Sequence, residues 1–172
     1  MLDAYLRERR DIIETAAAMG RKLTDQEQER LADLFSERID GYLDRGEGAC
    51  HLQRPDVGDM VCGALTYYHT VRYDIHTWCV MPNHVHLLFT PLGSHTLASI
   101  MNNLKSFTAH EANRMLGRRG VFWMPEYFDH MIRHRGDFDR SRQYILDNPA
   151  KARLKEWPWV GYPVSWAYPK GL

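Results

Sequence analysis

The chain has 172 residues, 44% hydrophobic and 26% charged, and no formal net charge, which suits one domain with a core of its own. No apolar run approaches the roughly 18–20 residues that cross a bilayer. Residues 1–10 interleave charged and apolar side chains instead of forming the apolar centre of a signal peptide, so a cytoplasmic protein with no membrane partner is expected.

Residues 1–50 read as a charged helical segment rich in Glu, Arg, Ala and Leu, and residues 51–172 as the functional domain, the two forming one compact body. Leu23-Thr24-Asp25 leads into a capped helix over 26–43, with Leu31, Leu34, Phe35 and Ile39 at helical spacing. Gly46-Glu47-Gly48 breaks it. A second helix is predicted over 57–69, with Met60, Val61, Ala64, Leu65 and Tyr68 on one stripe. From Tyr73 the pattern changes to strands, 73–80 and 85–89, joined by the turn-prone Met81-Pro82-Asn83. A third helix, 97–116, carries Leu97, Ile100, Met101, Leu104, Thr108, Ala112 and Met115, and stops at Gly117. Residues 121–133 hold Phe122, Trp123, Tyr127 and Phe128 and are expected to include a strand. A fourth helix opens near Asp137 and ends at Asn148, because Pro149 discourages continuation. The tail 157–169 is expected to be irregular and to pack over a sheet edge.

Two features point to chemistry. His84 and His86 stand two apart in Pro82-Asn83-His84-Val85-His86-Leu87-Leu88-Phe89. On a strand they share a face and could offer two imidazoles to one metal ion; equally, they could be the polar face of a half-exposed strand. Tyr144 and Asn148, four apart, share a helical face, so a phenol and an amide oxygen project together. If that face meets the histidine strand, an ion gains an oxygen ligand and a phenolic nucleophile stands beside it, as phosphodiester cleavage through a phosphotyrosine requires. A core aromatic and a helix-terminal Asn would fit the spacing as well. Cys50, Cys62 and Cys79 form no Cys-x-x-Cys pair and are expected to be buried free thiols.

Lys and Arg number 9 against 14 Asp and Glu in residues 1–60, and 13 against 8 in residues 61–172. The basic part therefore suits a polyanion. Its cations lie among Phe107, Phe122, Trp123, Tyr127 and Phe128, and a single strand calls for both charge along the backbone and aromatic faces for bases. Lys105, Arg118, Arg119 and Arg133 are the preferred DNA contacts. His130 and His134 belong to no motif and are left out of the ligand set.

Several separate stretches, taken in order, resemble the REP-associated tyrosine transposases, which belong to the single-tyrosine HUH transposases. They are Val80-Met81-Pro82-Asn83-His84-Val85-His86-Leu87-Leu88, Lys105-Ser106-Phe107, Phe122-Trp123, Glu126-Tyr127-Phe128-Asp129, Ile132-Arg133, Tyr144-Ile145 and Asn148-Pro149. The resemblance runs from about Val57 to Tyr162 and implies an α+β, ferredoxin-like or RRM-like sandwich with helices on a central antiparallel sheet. It implies His84, His86 and Asn148 as ligands of Mg²⁺ or Mn²⁺, and Tyr144 as the nucleophile that becomes linked to a DNA 5′-phosphate. The partner it implies is single-stranded DNA with palindromic hairpins, cut and rejoined by a monomer or homodimer. Two alternatives stay open, a catalytically silent hairpin-binding protein and a metal-dependent hydrolase. Relatives open with a strand of the type Phe-x-Thr-Phe, whereas this chain begins in the charged helical stretch. Either its true start lies further upstream or the sheet lacks an edge element.

Overall fold

The computed structural model describes residues 2–24, 26–27, 30–31, 48–125, 127, 129–163 and 169. Most of the helix expected over 26–43, Glu126, Phe128 and most of the tail beyond 163 lie outside them. Two compact units result, residues 1–47 with 128–130 and residues 48–127 with 131–172. In the first, helix α1 spans Leu2–Ala18. The expected cap is present: Thr24 Oγ1 accepts from Glu27 N (3.2 Å) and Glu27 Oε2 accepts from Thr24 N (2.8 Å), so each side chain satisfies the other residue's backbone donor.

In the second unit, Pro55 at the first helical turn opens α2 (Pro55–Tyr67), whose Val57, Val61, Ala64 and Leu65 are buried at helical spacing. Strands β1 (Tyr73–Val80) and β2 (Val85–Pro91) form the expected antiparallel hairpin, with Cys79 opposite His86 and Val80 opposite Val85. Helix α3 (Leu97–Met115) starts at a Thr96–Ser99 capping box, and Gly117 follows it at φ +61°, as its role as a stop requires. Helix α4 (Arg135–Lys151) and the short β3 (Val160–Gly161) complete the unit. The sheet order is β2-β1-β3, antiparallel throughout, which is the α+β architecture expected, with helices packed on a central sheet.

A bulge decides what each sheet face carries. The β1–β2 register slips between Ile75 and Thr77, leaving His76 as the extra residue. Tyr73, Ile75, Trp78 and Val80 thereby all join the core formed with α2 and α3. His76 turns the other way, bonds Thr90 Oγ1 at 2.9 Å and packs on Phe138 of α4 at 5.2 Å. Cys79, Leu88, Ile145 and Tyr144 cluster on that same face. Helix α4 is thus seated over the face that carries His86.

Three expectations need correction. Among the described residues of 121–133 there is no strand. The carbonyls of Gly120, Met124 and Pro125 accept from Asn113 Nδ2 and Lys105 Nζ on α3, and Trp123 Nε1 donates to Thr108 Oγ1, so side chains supply partners that a sheet would have offered. Helix α4 begins two residues before Asp137, because His134 Nδ1 caps the N–H of Asp137, and it continues through Pro149 to Lys151. Pro149 lies in the last turn, where the chain closes through Ala152 N to Asn148 O and Leu154 N to Pro149 O. Of the thiols, Cys79 alone is fully buried, with Cys50 and Cys62 half-buried; none of the three is in a disulfide.

The tail does cover a sheet edge, and it includes β3. Trp157 Nε1 donates to Val80 O, and Trp159 Nε1 to Asp59 Oδ1, both at 2.8 Å. A Cβ at Gly58 would lie 2.5 Å from Trp159 Cε2, so the glycine admits the indole. Gly58→Ala is expected to cost about 1–3 kcal/mol through overpacking, read as a lower denaturant midpoint. An unchanged midpoint would show that Trp159 can step aside.

Candidate active site

The hairpin brings the two imidazoles together. His84 is 8% exposed and its Nε2 stands 2.9 Å from His86 Nε2, the rings lying edge to face. Asn83 Oδ1 lies 2.7 Å from His84 Nδ1; if it accepts there, the proton sits on Nδ1 and the Nε2 lone pair faces His86. Two ligand nitrogens at about 2.1 Å from one ion and at right angles to each other would be about 3 Å apart. The observed spacing is that of neighbouring ligands.

Burial holds the His84 imidazole at about 4 and, with help from His84 and then Lys151, the His86 imidazole at about 3. Both are therefore neutral at pH 7, the form that binds metal. In the unfolded chain each takes up its proton near 6.5, so below that value the unfolded state binds more protons and the folded state loses stability as pH falls. In chelator, the melting temperature is expected to decline between pH 6.5 and 4 more steeply for the native chain than for a His84→Gln variant. Parallel slopes would contradict this.

Helix α4 supplies the other half. The Tyr144 ring stands 5.6 Å from the His86 ring, edge to face, and its hydroxyl is screened from solvent. One turn further, Asn148 is wholly buried, and neither Oδ1 nor Nδ2 has a hydrogen-bond partner. An amide orphaned in this way is costly and suits a site that something else completes. Among the described residues no cluster of three or more His, Cys, Asp or Glu could hold a metal. Asn148, on the helical face of Tyr144, has the chemistry of an oxygen ligand.

The cations expected on DNA are placed differently from one another. Lys105 Nζ donates to the carbonyls of Met124 (2.6 Å) and Pro125 (2.9 Å) and so clamps the loop after α3. Arg118 reaches His51 Nε2 at 2.7 Å and Val121 O at 2.9 Å, beside the Phe122 ring. Arg119 and Arg133 are exposed. His134 caps α4 and takes no part in the histidine pair. Sequence reasoning passed over Lys151, whose Nζ lies 4.3 Å from the Tyr144 ring centroid. The signal was available, since Lys151 is three residues beyond Asn148 and seven beyond Tyr144 on one helix.

The model of the family described as "Transposase IS200 like" matches residues 64–148. Over 109 residues the chain is 28% identical to the REP-associated tyrosine transposase of Escherichia coli (strain K12). That alignment covers 55% of this chain and 63% of the relative, so the chain spans less than two thirds of the relative's length. No solved structure matches. No helix among the described residues is long and apolar enough to cross a membrane. The matched stretch, residues 64–148, carries His84, His86, Tyr144 and Asn148 and is similar to the IS200-like transposases.

Proposed function

We propose that this protein cleaves and rejoins single-stranded DNA at palindromic hairpins, with Tyr144 as nucleophile and His84, His86 and Asn148 holding Mg²⁺ or Mn²⁺. One observation carries the reading: a phenol beside a pair of converging imidazole nitrogens, with a buried, unsatisfied amide one helical turn away. Hard oxygen ligands from an amide and a phosphate favour Mg²⁺ or Mn²⁺, and the imidazoles add nitrogen donors. When bound, such an ion supplies Lewis acidity at the phosphate.

The remaining work falls to the chain's own groups. Tyr144 Oη attacks phosphorus and gives up its proton; a bond forms between Oη and phosphorus, and the bond from phosphorus to the departing 3′ oxygen breaks. That oxygen takes a proton and leaves as a 3′-hydroxyl. The phosphotyrosine ester conserves the energy of the broken linkage, so a second 3′-hydroxyl can reverse the step and join a different strand. His76, held by Thr90 and packed edge-on against Phe138, keeps α4 in place over the histidine face. The screening of Tyr144 Oη keeps bulk water from the nucleophile, and the side chains around it must part to admit a phosphate. Arg119 and Arg133, both exposed, are proposed to follow the DNA backbone, and Arg118 to present Phe122 for base stacking. Lys105 acts on DNA through the loop it clamps.

The test is a labelled single-stranded oligonucleotide carrying a hairpin, incubated with the full chain and Mn²⁺. A covalent protein–DNA band is expected, and EDTA should abolish it. Free cleaved product without a linked protein would indicate a hydrolase, and binding without cleavage in either metal would leave a hairpin-binding protein.

A further inference from the structure

We infer that Lys151 is a phosphate anchor of this site, binding the 5′-phosphate that Tyr144 takes up. The inference rests on the proposed function and adds a residue to it. Lys151 ends α4 on the line begun by Tyr144 and Asn148, and its ammonium sits over the face of the tyrosine ring, 4.3 Å from the centroid. The residue is exposed, so its three N–H donors can turn towards an incoming anion without breaking a core contact. A phosphodiester bound next to His86 brings negative charge to this point, within reach of the Lys151 ammonium over the phenol ring. A lysine in the last turn also suits the helix dipole, but that role gives no preference for a phosphate, and the two are separable by experiment.

The test avoids chemistry by using Tyr144→Phe in the full chain and comparing one single-stranded hairpin oligonucleotide with a 5′-phosphate against the same oligonucleotide with a 5′-hydroxyl. A charge-assisted contact of this kind corresponds to about tenfold tighter binding of the phosphorylated strand. Adding Lys151→Met is expected to remove that preference and leave affinity for the 5′-hydroxyl strand within about twofold, whereas Lys151→Arg retains most of it. The melting temperature of each variant confirms folding. A preference that survives in Lys151→Met, or none in the chain that keeps Lys151, overturns the inference. If the preference is present and lysine-dependent while the unmodified chain forms no covalent adduct, the nucleophile reading fails and the anchor stands.

Discussion

Tyr144→Phe is expected to abolish the covalent DNA adduct, a loss of at least about 10⁴ in rate, because no neighbouring group can replace an oxygen that itself becomes esterified. The substitution is conservative in packing. The ring keeps its edge on His86 and its face under Lys151, and only the screened hydroxyl is removed. Stability is therefore expected to change by less than about 1 kcal/mol, and hairpin affinity to hold within about twofold. Gel mobility of the labelled strand after denaturation reads the adduct, and thermal melting and filter binding read the rest. An adduct of undiminished yield in the variant would assign the chemistry to another residue.

The parts of this arrangement that follow from short-range rules are legible in the amino-acid sequence. Alternation along a strand puts His84 and His86 on one face, and the four-residue spacing of Tyr144 and Asn148 puts them on one side of a helix. The strand and helix limits of the hairpin and of α3 agree with the pattern to within two residues. What alternation cannot show is the bulge at His76, which sends that histidine to the α4 face and gives Phe138 its partner. Nor can composition separate an aromatic run bound for a sheet from one held by a neighbouring helix. Phe122 and Trp123 look like strand residues, yet the backbone around them is satisfied by Asn113 and Lys105. Proline misled for a related reason. Its cost falls on one N–H and on the preceding turn, and at Pro149 the helix is within one turn of its end. Lys105 shows the same limit in the site: sequence reveals a cation near aromatics, and only the fold shows that two carbonyls hold its ammonium.

Asn148→Leu is expected to make the metal-free protein more stable while depriving it of function. The native amide is fully buried with both polar atoms unsatisfied, a state that costs roughly 1–3 kcal/mol relative to a satisfied or apolar group. Leucine has the same branched arrangement of heavy atoms and no polar atoms but is the bulkier residue, so part of the gain is offset by overpacking, and it is expected to raise stability in EDTA by about 1 kcal/mol, or roughly 2–4 °C in melting temperature for a chain of this size. In Mn²⁺ the order should reverse. A ligand at a hundred times its dissociation constant stabilises the folded state by about 2.7 kcal/mol; the native chain gains this, and Asn148→Leu, left with His84 and His86, gains little. Adduct formation should fall by about 10² or more, in line with loss of an oxygen ligand. The opposing shifts separate two explanations of the orphaned amide. If it were only a helix-terminal residue, leucine would stabilise the chain equally with and without metal. If an undetected water or backbone contact satisfied it, leucine would destabilise the chain in EDTA. Higher stability without metal, together with a lost response to Mn²⁺, is the signature of a polar group kept in the core for what it binds.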